Sequence, residues 1–161
     1  MSNLTHSEKK LFTLIKSRST NRFVQAYETG QFINKFCSNA FGDSLLGYAI
    51  QSNAVKIAEY LAADPELINF AGSNGKPPSV YFKKNVDEAF LVNMVSHGLD
   101  LNAKDNTNST LLHQLARMGS GSDFQTVVEN GADIYANNSL NEIPMDTAKR
   151  WHNKNVLDLN L

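Results

Sequence analysis

A 33-residue period runs through the chain and limits its fold more than any other feature. "TLLHQLARMG", opening at Thr110, follows "PPSVYFKKN" from Pro77 and "SLLGYAIQSN" from Ser44, and precedes "IPMDTAKRWH" from Ile143, each one step of 33 residues apart. The register holds beyond the openings. Ala58, Leu91, Phe124 and Leu157 share one position, Ala62, Val95, Val128 and Leu161 another, and Ile68, Leu101 and Ile134 a third. A chain written this way repeats one small unit that cannot bury its apolar face alone, so neighbouring units must stack.

Each unit reads as two short helices. Leu112, Leu115 and Ala116 lie three and four apart, as do Phe124, Val127 and Val128, which is helical spacing. Gly119 to Gly121 separate that pair. Thr110 is the expected N-cap, its hydroxyl accepting from an otherwise unpaired amide, and Pro78 and Pro144 suit a first helical position, where no donor is needed. Gly98 and Gly131 are placed to end two equivalent helices through positive φ, each leading into a turn-rich connector, "GLDLNAKDN" and "GADIYANNS". The segment before the period, "SEKKLFTLIKS" with "NRFVQAYETGQFIN", forms a further helix pair two residues out of phase. Thr5 and Glu8 there have capping-box spacing, and Gly30 with Asn34 echoes Gly98 with Asn102.

A 33-residue unit of helix, turn, helix and extended connector, opening on a T-P-L-H-x-A-like motif, resembles the ankyrin repeat. The residues that carry the resemblance are Thr110, Leu112 and His113, then Pro144, Met145 and Ala148, and Gly131, Ala132, Asp133 and Ile134 in "GADI". The resemblance implies an all-α, ankyrin-repeat solenoid of stacked helix-turn-helix units with short extended connectors, one domain over 1–161. Residues 5–41 are then a divergent N-terminal capping unit, 42–74, 75–107 and 108–140 internal repeats, and 141–161 a C-terminal capping repeat. The sequence departs from the family pattern where Gly47, Val80 and Asp146 stand in place of His113, and in the unit at Pro77. That unit's double proline, Ser79 in a core slot and short "VYFKKN" helix suggest a bent or loose layer.

Composition narrows the chemistry. A net charge of −1 with 15 Lys plus Arg gives no global attraction to nucleic acid or anionic membrane. The single cysteine, Cys37, offers no disulfide and suits a reducing compartment. With no signal-like N-terminus and no membrane-length apolar run, the expectation is a cytoplasmic protein. No phosphate loop, G-x-S-x-G elbow or H-E-x-x-H is present, and the four histidines lack metal-ligand spacing. The chain therefore reads as non-catalytic, without cofactor or metal. His113 reads as architecture rather than as a catalytic base.

Surface is what remains. Ankyrin-like arrays bind through connector tips and the exposed side of the first helices, and the resemblance carries that role onto Phe41, Asp43, Lys76, Asn106, Thr107, Leu140 and Glu142 at the tips. On the helices it falls on Tyr81, Lys84, Arg117, Met118, Arg150 and Trp151. Lys84, Arg117 and Arg150 share one register position, so layers about 10 Å apart would align them as a basic row. Phe41, Tyr81, Met118, Leu140 and Trp151 are expected to be exposed apolar anchors beside it. Trp151 is equally suited to covering the open end of the stack. Such a surface fits one protein partner with acidic and partly apolar groups. The expected function is sequestration or inhibition of that partner by a monomer, as by a bacterial immunity protein neutralising a toxin. An adaptor joining two proteins is the alternative, and nucleic-acid binding a weaker one.

Overall fold

The computed structural model describes residues 4–30, 33–82 and 86–161. The protein is all-α: no strand forms among the described residues beyond an isolated antiparallel bridge between Ser38 and Ser44. The helices come in pairs along the chain. α1 (His6–Lys16) and α2 (Thr20–Thr29) are followed by α3 (Leu45–Gln51) and α4 (Val55–Ala62), then by a 3-10 turn (Pro78–Tyr81) and α5 (Glu88–Ser96). α6 (Leu111–Met118) and α7 (Gly121–Glu129) precede α8 (Pro144–Arg150) and the single turn α9 (Lys154–Leu157). The leading elements pack in order, α1 on α3, α3 on the 3-10 turn, that turn on α6, and α6 on α8.

Local sequence explains where these elements start. Thr5 and Glu8 close a capping box at α1, and the side chains of Ser44, Asp87 and Ser120 accept from amides of Gly47, Phe90 and Asp123 at the starts of α3, α5 and α7. Pro144 occupies the first turn of α8. Gly98 and Gly131 follow α5 and α7 with φ of 97° and 98°, in the left-handed region that an L side chain resists.

The register positions read from sequence are buried or packed against the core, except Leu161, which is 52% exposed. Ala58, Leu91 and Phe124 are fully buried, joined by Leu11, Ile15, Leu45, Leu111, Leu112 and Leu115 in one continuous core. Each buried Leu or Phe contributes about 1.5–3 kcal/mol from removal of apolar area from water. Leu157, in α9, is only partly covered.

The connectors repeat in geometry as well as in sequence. Gly42, Gly75, Asn108 and Asn141, one every 33 residues, all take positive φ, and their amides bond the carbonyls of Asn39, Gly72, Asp105 and Asn138. The side chains of Asn39, Asp105 and Asn138 also accept from two tip amides each, which fixes the turn. Gly72 breaks that series because a Cβ there would lie 2.0 Å from the Gly42 carbonyl oxygen. Successive tips are joined: the Asn74 amide donates to Gly42 O at 3.2 Å, Asn106 Nδ2 to Asn74 O at 3.0 Å, and the Ser139 amide to Thr107 O at 2.8 Å.

Two local expectations change and one holds. The segment from Pro77 forms a 3-10 turn rather than an α-helix, since two prolines remove two amide donors and leave i→i+3 bonds from Val80 and Phe82. At α6 Thr110 is the N-cap as expected, in a capping box with His113, and its hydroxyl also lies 3.0 Å from His113 Nδ1. Gly30 sits in extended backbone at φ −69°, so its likeness to Gly98 is not conformational.

Candidate functional site

The residues expected at the binding surface divide into an exposed cluster and a buried network. α6 and α8 pack together, and Arg117 and Met118 at the end of one are matched, one period on, by Arg150 and Trp151 at the end of the other. Trp151 is 50% exposed, with the Arg117 guanidinium 5.4 Å and the Arg150 guanidinium 5.8 Å from its ring centroid. Both lie within cation–π range. Arg117 Nη2 also lies 3.3 Å from the Met118 sulfur.

Arg150 is not a free cation. Its Nε donates to Glu142 Oε1 at 2.9 Å and its Nη2 to Oε2 at 3.0 Å, a bidentate fork that holds the guanidinium beside the indole. Glu142 Oε2 further accepts from Asn138 Nδ2 and Thr147 Oγ1. Glu142 thus anchors the cluster through its own side-chain pairings. Among the described residues Arg117 has no carboxylate within ion-pair distance. The basic row expected from register loses Arg150 to Glu142, and its third member, Lys84, lies outside the described residues.

Two residues expected at the surface are inside. Tyr81 is 6% exposed, and its hydroxyl donates to buried Asp43 Oδ1 in a short contact. Asn74 Nδ2 lies 3.1 Å from the same hydroxyl and donates to Asp43 Oδ1 and to Phe41 O. Burial and the neighbouring Asp43 carboxylate push the Tyr81 phenol well above its usual pKa. Gly47 makes this possible: a Cβ there would meet Tyr81 Cε2 at 2.5 Å, so the missing side chain is where the ring lies. Sequence reading missed this because register assigns Tyr81 to an outward position, while the 3-10 geometry turns it inward. The absent side chain at Gly47 was the available signal.

At the tips, Phe41 is 83% exposed, and Leu140, Lys76, Asn106 and Thr107 are exposed as expected. Positions 41, 74, 107 and 140 are equivalent, so the two apolar tips flank two polar ones that join neighbouring turns. His113 is 2% exposed. Its Nε2 donates to the Glu142 carbonyl at 2.9 Å, and its Nδ1 accepts from the Thr110 amide at 3.2 Å. Burial lowers its pKa, partly opposed by the Glu142 carbonyl.

Cys37 is buried, and burial pushes its thiol up to about 12, where it is a poor nucleophile. A cleft of about 340 Å³ beside it is lined by Glu8, Phe36, Ser38 and Phe70. Burial alone would raise the Glu8 pKa, but its carboxylate accepts from the Thr5 and Asn34 amides and is held below the usual range. Among the described residues no three His, Cys, Asp or Glu converge as a metal site, and no helix is long and apolar enough to cross a membrane. The chain matches no model of a known protein family and no curated protein.

Proposed function

We propose that this chain is a non-catalytic binding protein of ankyrin-repeat type that sequesters or inhibits one protein partner. The observation that carries the reading is the exposed Arg117, Met118 and Trp151 cluster, supported from beneath by the Glu142–Arg150 pair. Trp and Arg are the residue types that dominate binding hot spots, and half-exposed indole flanked by guanidinium is apolar area a folded chain gains by covering. The recurrence of turn geometry every 33 residues supports an ankyrin-like array, in which this cluster and the apolar tips Phe41 and Leu140 would face one partner across the concave side. Occlusion of that partner is the simplest output of such a surface. An immunity protein held against a cognate toxin works in this way.

The test is a tagged pull-down from the source cells at low and high salt, with the stoichiometry of whatever is retained. One protein held one to one, and released by Trp151→Ala with the fold intact, supports the reading. Two mutually compatible partners would replace it with an adaptor, and recovered nucleic acid would remove it.

A further inference from the structure

We infer that the corner formed by Arg117, Met118 and Trp151 selects an acidic, partly apolar peptide segment of the partner, with Arg117 taking one carboxylate and Trp151 and Met118 receiving the apolar side chain beside it. The inference rests on the binding reading above and specifies its chemistry.

Two guanidinium groups stand near the same indole, yet they are in different states. Arg150 is neutralised by both oxygens of Glu142, and its orientation is fixed by that fork. Arg117 has the same planar set of donors with no carboxylate among the described residues. Its closest polar contact is a thioether sulfur, a weak acceptor. The second arginine thus lacks the partner that the first one has. A carboxylate arriving from outside would give Arg117 the bidentate geometry already present at Arg150.

The surroundings favour a single carboxylate over a phosphate chain. Glu142 and Asp146 lie on the α8 side, and Asp105 accepts from Gln114 on α6. Lys149 is paired with Asp146 and Arg150 with Glu142, so successive phosphates would meet carboxylates rather than cations. Nucleic-acid binding needs several unneutralised cations along the backbone track. Met118 and Trp151 supply the apolar part. The first is flexible and polarisable, and the second is rigid and backed by two guanidiniums.

Trp151 is the only tryptophan, so its emission reports on this corner alone. The experiment selects random peptides of about a dozen residues, displayed on phage, in parallel on the protein and on Arg117→Glu. Arg117 is exposed and makes no ion pair among the described residues, so the variant should fold, and an unchanged melting temperature verifies this. The expected result is enrichment of Asp or Glu next to Leu, Phe or Trp on the native protein. Synthetic copies should shift Trp151 emission and bind Arg117→Glu about tenfold or more weakly. Peptides that bind both proteins equally would overturn the inference while leaving the binding reading standing, with its surface elsewhere. No enrichment on either protein would remove both. A Trp151 shift produced instead by a single-stranded oligonucleotide, and abolished by Arg117→Glu, would overturn the peptide assignment in favour of nucleic acid.

Discussion

The junction around Tyr81 and the junction around His113 solve the same problem in opposite directions. Each ties a connector tip to a leading helical element, through Tyr81 in one unit and through His113, one residue short of the register equivalent of Tyr81, in the next. At the first, Tyr81 reaches back to the carboxylate of Asp43 and to Asn74, through space left by Gly47. At the second, His113 reaches forward to the backbone carbonyl of Glu142 and accepts from its own N-cap amide. One link depends on a buried carboxylate, the other on a neutral imidazole. The recurring demand is for a polar bridge between tips, and residue identity follows from which neighbour has room.

The largest expected effects break the Tyr81 junction. Tyr81→Ala removes a buried aromatic ring against Gly47 and should cost about 3–5 kcal/mol in denaturant unfolding. Tyr81→Phe separates packing from hydrogen bonding. It keeps the ring but removes the donor to a buried carboxylate, and should cost about 1.5–3 kcal/mol. A Tyr81→Phe protein as stable as the native chain would show that Asp43 is satisfied by Asn39 and Asn74 alone. Gly47→Ala tests the same link from the other side. Its Cβ forces the Tyr81 ring to move, at about 1–3 kcal/mol.

The His113 junction should differ in depending on pH. Its Nδ1 must stay unprotonated to accept from Thr110, and burial lowers its folded pKa below the unfolded value of about 6.5. The unfolded chain therefore takes up the proton first. The stability from this site is complete above the unfolded value and declines as pH falls towards the folded pKa. Lys104 opposes protonation, while Asp105 and Glu142 favour it. Denaturant midpoints at about pH 7.5 and about pH 5.5 should diverge more for the native protein than for His113→Asn, which keeps a polar group but does not titrate. Equal pH dependence in the two would place the titration elsewhere.

These two regions also show what the sequence made legible. Helical periodicity, the caps at Thr5 and Thr110, and the apolar positions Ala58, Leu91 and Phe124 follow from local preference and register, and the all-α class with them. The inward turn of Tyr81 did not follow, because it depends on a 3-10 geometry imposed by two prolines and on a cavity in the preceding unit. At the candidate site, the exposure of Phe41, Arg117, Leu140 and Trp151 was readable from position. The pairing of Arg150 with Glu142 was not, because the two stand eight residues apart at opposite ends of the segment that carries α8, beyond the three- and four-residue spacings that predict neighbours on a helix.

The smallest expected effect has the opposite sign and isolates what the 3-10 turn costs. Ser79 is fully buried, and among the described residues its hydroxyl has no hydrogen-bond partner. An unpaired buried hydroxyl loses hydration without recovering a bond, so removing it relieves that cost. Ser79→Ala should raise the unfolding midpoint by up to about 1 kcal/mol, whereas the same exchange at Ser44, whose hydroxyl accepts from the Gly47 amide, should lower it by about 1 kcal/mol. The two serines are close to one period apart and lie at the starts of consecutive leading elements. Opposite signs would show that the unit at Pro77 keeps the register of its neighbours while lacking their polar satisfaction. A loss of stability in Ser79→Ala would mean that the hydroxyl is bonded in solution, and the contrast between the two units would shrink to backbone geometry alone.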